Sequence, residues 1–454
     1  MLITDSIRQV LRNIAWLMSS KFLSYLSTGI ASIVVARVLG PESIGLIAWA
    51  MSVVVFVDTI AFMGMDPILF KHFTRRPRGK LDLLTTALKL RFILAAIAYA
   101  IMGLYVFYSY RQGKYDHLLL LISALQLFTH YGYLVTYWFH SRVEANKVVR
   151  WEIPASFFSA ALRIYVVISG FDIYAVVIIL VLSQLMESLG ITWSLLHDYQ
   201  FRQQTKSAMK IKSLRNPGKW VHIRFMRNTR ILIYNGWPFL FVSLSHFIYM
   251  RIDQVMLPVL YSRKETGFYT SASMLAEMPY QISILITHSV LPGLIKLQQI
   301  NSELYRTRIT QFFSLMIWSS LIISTTLWFA SSWLITIIYG QKFAPSSGMF
   351  QILIMGLPFM FCSCMIGPWV LANNRQYQFS LMMAFAALLN IILNWCLIPQ
   401  WGGIGAGIAS IFSYLITGLG CPIIYKSFKP VQTYIIDGFL LPFNIVGKLL
   451  NRNY

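Results

Sequence analysis

Long apolar runs separated by short polar stretches repeat along the whole chain. Two clear runs are 14–38 near the beginning and 378–398 near the end. A bilayer core about 30 Å thick requires roughly 20 apolar residues of helix, and only helices or closed barrels satisfy their backbone polar groups in lipid. Runs this long exclude a barrel, whose strands alternate over about 10 residues. The pattern therefore predicts an all-α polytopic membrane protein.

The number and spacing of the apolar runs predict twelve transmembrane helices. The predicted spans are 14–38, 44–64, 88–108, 118–139, 153–170, 173–196, 231–258, 266–292, 311–338, 346–371, 378–398 and 404–425. The polar stretches between them are short except for one in the middle of the chain.

Lysine and arginine fall unevenly on the two sides of these spans. With both chain ends inside, the inner loops contain Arg8, Arg12, Lys71, Arg75, Arg76, Arg78, Lys80, Arg142, Lys147, Arg150, Arg202, Lys206, Lys210, Lys212, Arg215, Lys219, Arg224, Arg227 and Arg230. The outer loops contain only Arg37, Arg111, Lys114, Arg263, Lys264 and Lys342. Because cytoplasmic loops are enriched in Lys and Arg, this asymmetry places both termini in the cytoplasm.

The basic stretch in the middle of the chain divides it into two six-helix halves. The predicted domains are a first bundle (1–200), a basic cytoplasmic linker (201–230), a second bundle (231–430) and a cytoplasmic tail (431–454). The short turns before Gly45 and Gly267 occupy equivalent places, 222 residues apart. Six helices per half give both halves the same orientation, so we expect a parallel repeat with the substrate path between the halves.

Composition supports a membrane protein and argues against nucleic acid as a partner. The chain is 57% hydrophobic and 12% charged, against about 25% charged residues in soluble domains. The net charge of +22 is explained by basic cytoplasmic loops.

Catalytic and metal-binding signatures are absent from the sequence. It has no HExxH, GxSxG or Walker loop, and its four cysteines form no CxxC pair. We therefore expect a transporter and not an enzyme, with no cofactor or metal, driven by an ion gradient, the membrane potential or the substrate gradient.

Charged residues inside the spans are the best candidates for function, because they are costly in lipid. Lys21 and Asp58 lie in adjacent predicted helices, roughly 27 Å and 21 Å from the outer turn at 1.5 Å per residue. They are predicted to pair toward the cytoplasmic side. Alternatively, Lys21 extends its ammonium group to the inner surface or contacts the substrate.

A second group of charges lies nearer the outside, roughly 8 to 17 Å from the outer turns. It consists of Arg163, Arg251, Asp253 and Glu277. One interpretation is a cationic site facing a central cavity, and the other is an ion pair of Arg251 with Glu277 that holds helices together. Arg163 has no evident partner at its depth, and its planar guanidinium suits a diphosphate. It is the first candidate for a substrate contact.

Glu187 and three histidines complete the intramembrane candidates. Glu187 is deep and unpaired in this interpretation, and either titrates during transport or hydrogen-bonds a neighbouring helix as a neutral acid. His130, His246 and His288 are predicted to form hydrogen bonds between helices.

Four segments of the sequence together suggest a family. They are VVARVLGPESIG with the following GMDPIL, WPFLF with IYMRIDQVMLPVLYSRKETGFYTSASMLAE, IIYGQKFAPSS, and LNIILNWCLIPQWGGIGAGIAS. They span nearly the whole chain and resemble the polysaccharide and O-antigen flippases of the multidrug/oligosaccharidyl-lipid/polysaccharide exporter superfamily.

The resemblance implies two six-helix bundles that form a V with a central cavity. It also implies transfer of an undecaprenyl-diphosphate-linked oligosaccharide across the bacterial inner membrane. We expect the lipid bilayer and other polysaccharide assembly proteins among the partners, and no cofactor. The family's motif positions correspond here to Arg251, Asp253, Gln254, Gly267, Tyr269, Asn390 and Asn394. Lys21 and Arg163 match no fixed motif position.

Four other functions compete with the flippase. A peptidoglycan-precursor flippase has two further helices, for which the tail 431–454 is too short and broken. A purely structural membrane protein would not need paired halves with intramembrane charges. A multidrug/cation antiporter of the same superfamily often carries a key acid in its first helix, where this chain has Lys21. A membrane polysaccharide polymerase usually needs a large outer loop or an acidic catalytic site, and the outer loops predicted here are short.

Overall fold

A computed structural model describes residues 2–75, 80–112, 117–199, 201–203 and 217–450 of the chain. Within those ranges every regular element is a helix. The α-helices are α1 (Leu2–Phe62), α2 (Met65–Arg75), α3 (Lys80–Arg111), α4 (Leu118–Ala124), α5 (Gln126–Thr129), α6 (Tyr131–His140), α7 (Asn146–Ile168), α8 (Ile173–Leu196), α9 (Pro217–Leu260), α10 (Arg263–Ile300), α11 (Ser302–Tyr339), α12 (Ser346–Met355), α13 (Leu357–Ala372), α14 (Gln376–Leu415), α15 (Cys421–Ile424) and α16 (Lys429–Leu450).

The helices are long and apolar, as the hydrophobic pattern predicts. In the described part of the chain, eight are long and apolar enough to cross a membrane, or nine if the pair α12–α13, bent by 42°, forms one span. Two of the eight, Met18–Phe62 and Gln376–Ile424, each cover most of two predicted spans. The all-helical, multi-pass fold is confirmed, and the number twelve stays a prediction. The basic residues Arg76, Arg78, Lys114, Lys206, Lys210, Lys212 and Arg215 lie outside the described residues.

Two glycines interrupt the long helices α1 and α14 at the ends of predicted spans. Gly40 has φ 80° and ψ 175° within α1, and Gly402 has φ 54° and ψ −132° within α14. A side chain would be strained at these positive φ values, whereas glycine adopts them readily. Pro41 follows Gly40 at the start of the next helical segment, where its missing N–H is no loss. Each kink therefore separates two predicted spans.

The chain divides into two compact units, and a short segment from the first half of the sequence belongs to the second unit. The first unit contains Met1–Leu39 and Trp49–Leu244, and the second contains Gly40–Ala48 and Ser245–Tyr454. The predicted boundaries at 200, 230 and 430 stay predictions. The core of the first unit is built around Phe73 and Trp138, whose rings meet edge to face at 5.8 Å, with Leu84 and Phe139 fully buried beside them.

In the second unit, Gly45 and Gly267 permit direct contact between two helical backbones. A Cβ atom on Gly45 would lie 1.9 Å from the carbonyl oxygen of Arg263, and one on Gly267 would lie 1.7 Å from that of Pro41. Small residues allow such close helix crossings in membranes. The two glycines that the sequence places at equivalent positions therefore pack each against the other's turn.

Candidate functional site

A polar cavity of about 290 Å³ lies inside the first unit, between α1, α5, α7 and α8. Residues 156, 159 and 163 of α7 and residues 180, 184 and 187 of α8 recur at helical spacing, so each helix turns one face to the cavity. The polar side chains in its lining are Thr28, Gln126, Ser156, Ser159, Arg163, Ser183, Gln184 and Glu187. Hydroxyl and amide side chains that recur at helical spacing among apolar residues therefore line this pocket.

Arg163 is the buried cation of the cavity. The residue is only 4% exposed, and its Nε donates a hydrogen bond to the carbonyl oxygen of Ser159, at 3.3 Å, within the same helix. Among the described residues no carboxylate lies within ion-pair distance of its guanidinium. Because a guanidinium stays charged in proteins and an unpaired charge is costly in a membrane, this arrangement favours an anionic ligand.

Hydrogen bonds order the rest of the cavity wall. Ser156 Oγ donates to the backbone oxygen of Glu152 at 2.9 Å and lies 3.0 Å from Ser24 Oγ on α1. Gln184 Nε2 donates to the hydroxyl of Tyr133 at 3.3 Å. Glu187 lines the cavity on the α8 side and forms no ion pair with the residues that the structure describes. The cavity therefore offers both a cation and an acid, held by separate helices.

Lys21 pairs with Glu152 of α7, so the predicted pair of Lys21 with Asp58 is wrong. Lys21 Nζ lies 2.6 Å from Glu152 Oε1, and Ser20 Oγ donates to Glu152 Oε2 at 2.6 Å. The Lys21 side chain is 48% exposed, against 12% for Glu152. Depth along a helix does not decide which neighbour a side chain faces, and the start of α1 faces α7.

Asp58 instead belongs to a buried cluster with Arg91 of α3. Arg91 Nη2 donates to Asp58 Oδ1 and to the backbone oxygen of Leu127, at 3.1 Å. His130 Nδ1 lies 2.8 Å from Asp58 Oδ2, so His130 forms the contact between elements that the sequence predicts. Arg91 is 1% exposed and stacks on Phe62 at 5.1 Å. This cluster joins α1, α3 and the segment formed by α5 and His130.

In the second unit, Arg251 of α9 pairs with Glu277 of α10. The distance from Arg251 Nη2 to Glu277 Oε2 is 2.7 Å, and the Glu277 side chain is 10% exposed. This geometry matches the ion-pair interpretation of these residues. Arg251 is therefore already neutralised by the protein, unlike Arg163.

Four other family-motif residues form hydrogen bonds in two pairs. Asp253 Oδ2 accepts from the Tyr269 hydroxyl and lies 3.2 Å from Ser410 Oγ. Asn394 Nδ2 donates to Asn390 Oδ1, at 2.9 Å, one turn away. All five side chains are buried. The motif thus forms polar contacts that hold α9, α10 and α14 together.

The other predicted histidines behave differently. His246 Nδ1 lies 2.8 Å from the Tyr249 hydroxyl, one turn along the same helix, so its contact is not between helices as predicted. The His288 side chain lies outside the described residues. In the described part of the chain, no group of three or more His, Cys, Asp or Glu side chains is arranged to hold a metal.

Sequence reasoning missed Arg91 and Glu152, which complete two of these contacts. Arg91 is near the beginning of the predicted span 88–108, and Glu152 is one residue before the span 153–170. Both look like charges at a membrane boundary. In the structure, helices α3 and α7 begin several residues earlier, at Lys80 and Asn146, which places both charges inside a helix.

Comparison with known proteins identifies related sequences and folds. The sequence profile of a family described as polysaccharide biosynthesis protein matches residues 10–298. No curated protein matches the chain.

Solved membrane transporters share the fold. A multidrug resistance MATE family transporter of the MOP superfamily, in an inward-facing conformation, has a TM-score of 0.66 and 15% identity, covering 91% of this chain and 95% of that one. The lipid II flippase MurJ, in an inward closed conformation, has a TM-score of 0.67 and 15% identity, covering 96% and 93%. The eukaryotic MATE transporter AtDTX14 has a TM-score of 0.56 and 10% identity, covering 95% and 99%. The MATE-like fold implied by the sequence resemblance is confirmed.

Proposed function

Because the chain belongs to this family of polysaccharide biosynthesis proteins, we propose that it is a flippase for a lipid-linked saccharide. Its substrate is an undecaprenyl-diphosphate-linked oligosaccharide, such as an O-antigen or related repeat unit, which it moves across the bacterial inner membrane by alternating access. Family membership and a fold shared with a lipid II flippase and with MATE transporters support this proposal.

The observation that carries the proposal is the buried, uncompensated charge of Arg163. A diphosphate supplies the missing anion, and its oxygens accept paired hydrogen bonds from the guanidinium fork. The cavity volume of about 290 Å³ lies just below the range for ligand pockets, roughly 300–1,000 Å³. It therefore suits the diphosphate or a single adjoining group, and the bulk of an oligosaccharide and its lipid lies elsewhere.

Other predicted site residues rank behind Arg163. Lys21 and Arg251 each have an acidic partner in the protein, so binding a substrate anion would compete with an existing ion pair. Of the predicted coupling acids, Glu187 lines the cavity without an ion pair among the described residues, and we assign it the role of the titrating group. Asp58, Asp253 and Glu277 are held by neighbouring side chains.

The uneven distribution of Lys and Arg supports an orientation with the N-terminus and the central basic linker in the cytoplasm. In this orientation the substrate enters from the side where lipid-linked repeat units are made. Other polysaccharide assembly proteins would then receive the unit at the outer face.

A multidrug/cation antiporter is the second candidate, favoured by the MATE fold and by Glu187 in the cavity wall. Arg163 argues against it, since a buried cation repels a cationic drug at close range. A membrane polysaccharide polymerase has no comparable support.

Proteoliposomes containing the purified protein test the proposal directly. The substrate is a short-chain polyprenyl-diphosphate disaccharide carrying a fluorescent group, and flipping is measured as loss of fluorescence to an external reductant. Arg163→Ala should lose flipping, and Arg163→Lys should recover only part, because an ammonium group lacks the planar fork. Arg150→Ala is the matched control, since Arg150 is an exposed arginine of the same helix.

Each outcome decides a different part of the proposal. Equal flipping by the wild type and Arg163→Ala would remove the role of Arg163 and leave the flippase. No flipping by the wild type, with uptake of an organic cation under a pH gradient in the same vesicles, would favour the antiporter.

A further inference from the structure

Helix α16 follows α11 side by side in the second unit, and the two helices run in the same direction. Tyr434 contacts Tyr305 and Phe313, with ring centroids 6.5 Å and 6.1 Å apart. Phe439 and Phe443 contact Trp318, with ring centroids 5.4 Å and 5.5 Å apart. Residues further along α16 therefore contact residues further along α11.

The approach of the two helices is close. A Cβ atom on Gly438 would lie 2.9 Å from the backbone nitrogen of Ser314. Trp318 Nε1 donates a hydrogen bond to the backbone oxygen of Phe439 at 3.1 Å, and the two rings are stacked with an interplanar angle of 12°. A glycine at the crossing and a side-chain bond to the partner backbone are typical of helices packed within a membrane.

The contacts with α11 fix the depth of α16. Helix α11 is long and apolar enough to cross the membrane, and its predicted apolar span begins at Gln311. Trp318 lies roughly 10 Å further along the helix, at 1.5 Å per residue. Before the span begins, Arg306 lies 3.7 Å from Asp437, and both side chains are largely exposed. Helix α16 thus passes from a charged level at Asp437 to an apolar level at Phe439 and Phe443.

One face of α16 remains uncovered, from beside Asp437 into that apolar level. Ile436, Leu440 and Phe443 recur at helical spacing and are 50%, 43% and 56% exposed. Leu315 and Ile322 of α11, inside the predicted span, are 61% and 63% exposed. Apolar stripes of this kind are unfavourable in water. The exposed apolar residues of α16 continue the surface that α11 offers to lipid.

We propose that the face of α16 formed by Ile436, Leu440 and Phe443 is embedded in the bilayer and contacts lipid acyl chains. The segment 436–443 is then a membrane element and not part of an aqueous cytoplasmic tail, as the sequence predicts for 431–454. Helix α16 covers the first half of α11 on one side and adds lipid-facing surface to the second unit.

Thiol accessibility in native membranes tests the proposal. Ile436→Cys, Leu440→Cys and Phe443→Cys are compared with the parent protein, whose four native cysteines supply the background. An impermeant maleimide should modify these thiols at least about tenfold more slowly than Lys426→Cys, because the thiolate is the reactive form and does not form in lipid. Labelling should become equal after denaturation in detergent. Ile322→Cys on α11 is the matched lipid-facing control.

A second measurement distinguishes lipid from a protein partner. A phospholipid with a photoactivatable group near the end of its acyl chain should label the peptide containing Ile436–Phe443 in the wild-type protein. Rapid maleimide labelling of all three thiols in intact membranes would overturn the proposal. Slow labelling without lipid adducts, accompanied by thiol crosslinking of two copies through Leu440→Cys, would overturn it in favour of a dimer contact.

Discussion

The two units hold their intramembrane charges in different ways. In the second unit, Arg251 pairs with Glu277 at 2.7 Å, and Asp253 accepts from Tyr269 with Ser410 nearby. In the first unit, Arg163 and Glu187 face a cavity and form no ion pair with any described residue. The second unit thus satisfies its charges internally, whereas the first leaves two of them available to a ligand.

This contrast separates two reasons for placing a charge in a membrane. A paired charge links helices, and removing one partner leaves the other uncompensated. An unpaired charge lowers the stability of the empty protein and contributes when a ligand of opposite sign arrives. Loss of stability and loss of transport should therefore fall on different residues, and substitutions in the two units can test this division.

The largest effect on stability is expected from Arg251→Ala in the second unit. It leaves Glu277, 10% exposed, without its partner, at a cost of about 2–3 kcal/mol. This is less than for a fully buried pair, because Arg251 is partly exposed. Thermal stability in detergent, followed by size-exclusion chromatography, measures the loss. The double variant Arg251→Ala/Glu277→Ala should recover part of it.

Arg163→Ala is the matched comparison in the first unit. It removes an uncompensated charge, so the protein should be as stable as the wild type or more stable while flipping is lost. Equal destabilisation by Arg163→Ala and Arg251→Ala would break the contrast between the units.

A smaller effect is expected from Gly267→Ala, which tests how tightly the second unit is packed. The added methyl group would lie 1.7 Å from the carbonyl oxygen of Pro41, and overpacking of this kind costs about 1–3 kcal/mol. Gly348→Ala is the control, because a Cβ atom on Gly348 would have no other atom within 4 Å and alanine favours helix. Unchanged thermal stability of Gly267→Ala would show that the crossing of α1 and α10 opens readily.

Sequence patterns predicted the fold well because lipid imposes a simple rule on composition. The apolar runs predicted the helices, and Leu39-Gly40-Pro41 predicted a turn at the position where the structure has a kink. It was harder to predict which charged side chains pair with each other. Arg251 and Glu277 flank one short turn, which limits their possible neighbours, and their pair was among the alternatives. Lys21 and Asp58 also flank one turn, but rotation about α1 directs them to α7 and α3, and only tertiary packing fixes that rotation.

The cavity and helix α16 show a second limit of prediction from sequence. Arg163 was recognisable as a cation without a partner, but the hydroxyl and amide residues around it come from four helices, and spacing along one helix does not show which other helices it meets. In helix α16, Asp437, Gly438 and Pro442 interrupt the apolar residues, and its contact with Trp318 depends on a fold that the local pattern does not contain.

Asp198, outside the spans of the first unit, extends the comparison to paired charges near water. Arg142 donates to both of its oxygens at 3.1 and 2.8 Å, and Lys147 Nζ lies 2.8 Å from Oδ2. Burial alone would raise the pKa of Asp198, but hydrogen bonds from Arg142, Lys147 and the Phe201 backbone hold that pKa well below its ordinary value. Asp198→Asn should cost about 1.5–3 kcal/mol, typical of hydrogen bonds to charged groups.

The pH dependence of this contribution follows from the direction of the shift. A lowered pKa in the folded state stabilises the protein above the unfolded pKa of about 3.9 and loses that contribution as pH falls toward the folded value. The stability difference between the wild type and Asp198→Asn should therefore be constant from pH 5 to pH 8, because this whole range lies about one pH unit or more above the unfolded pKa of about 3.9. Thermal melts across this range measure it, and a difference that disappears near neutral pH would contradict the assignment.

The smallest effect is expected for Lys21 and Glu152, the paired charges beside the cavity of the first unit. The Lys21 side chain is 48% exposed, so the protein encloses the pair only in part, and Ser20 continues to bond Glu152 when Lys21 is lost. A double-mutant cycle of Lys21→Ala with Glu152→Ala should give a coupling energy of about 0.5–1 kcal/mol. The matched cycle of Lys21→Ala with Asp58→Ala should be additive within about 0.3–0.5 kcal/mol, since Asp58 bonds Arg91 instead. Coupling in the second cycle and none in the first would restore the pair predicted from sequence. Coupling in the first with full transport by Lys21→Ala would make Lys21 a structural cation and leave Arg163 as the cation available to substrate in this cavity.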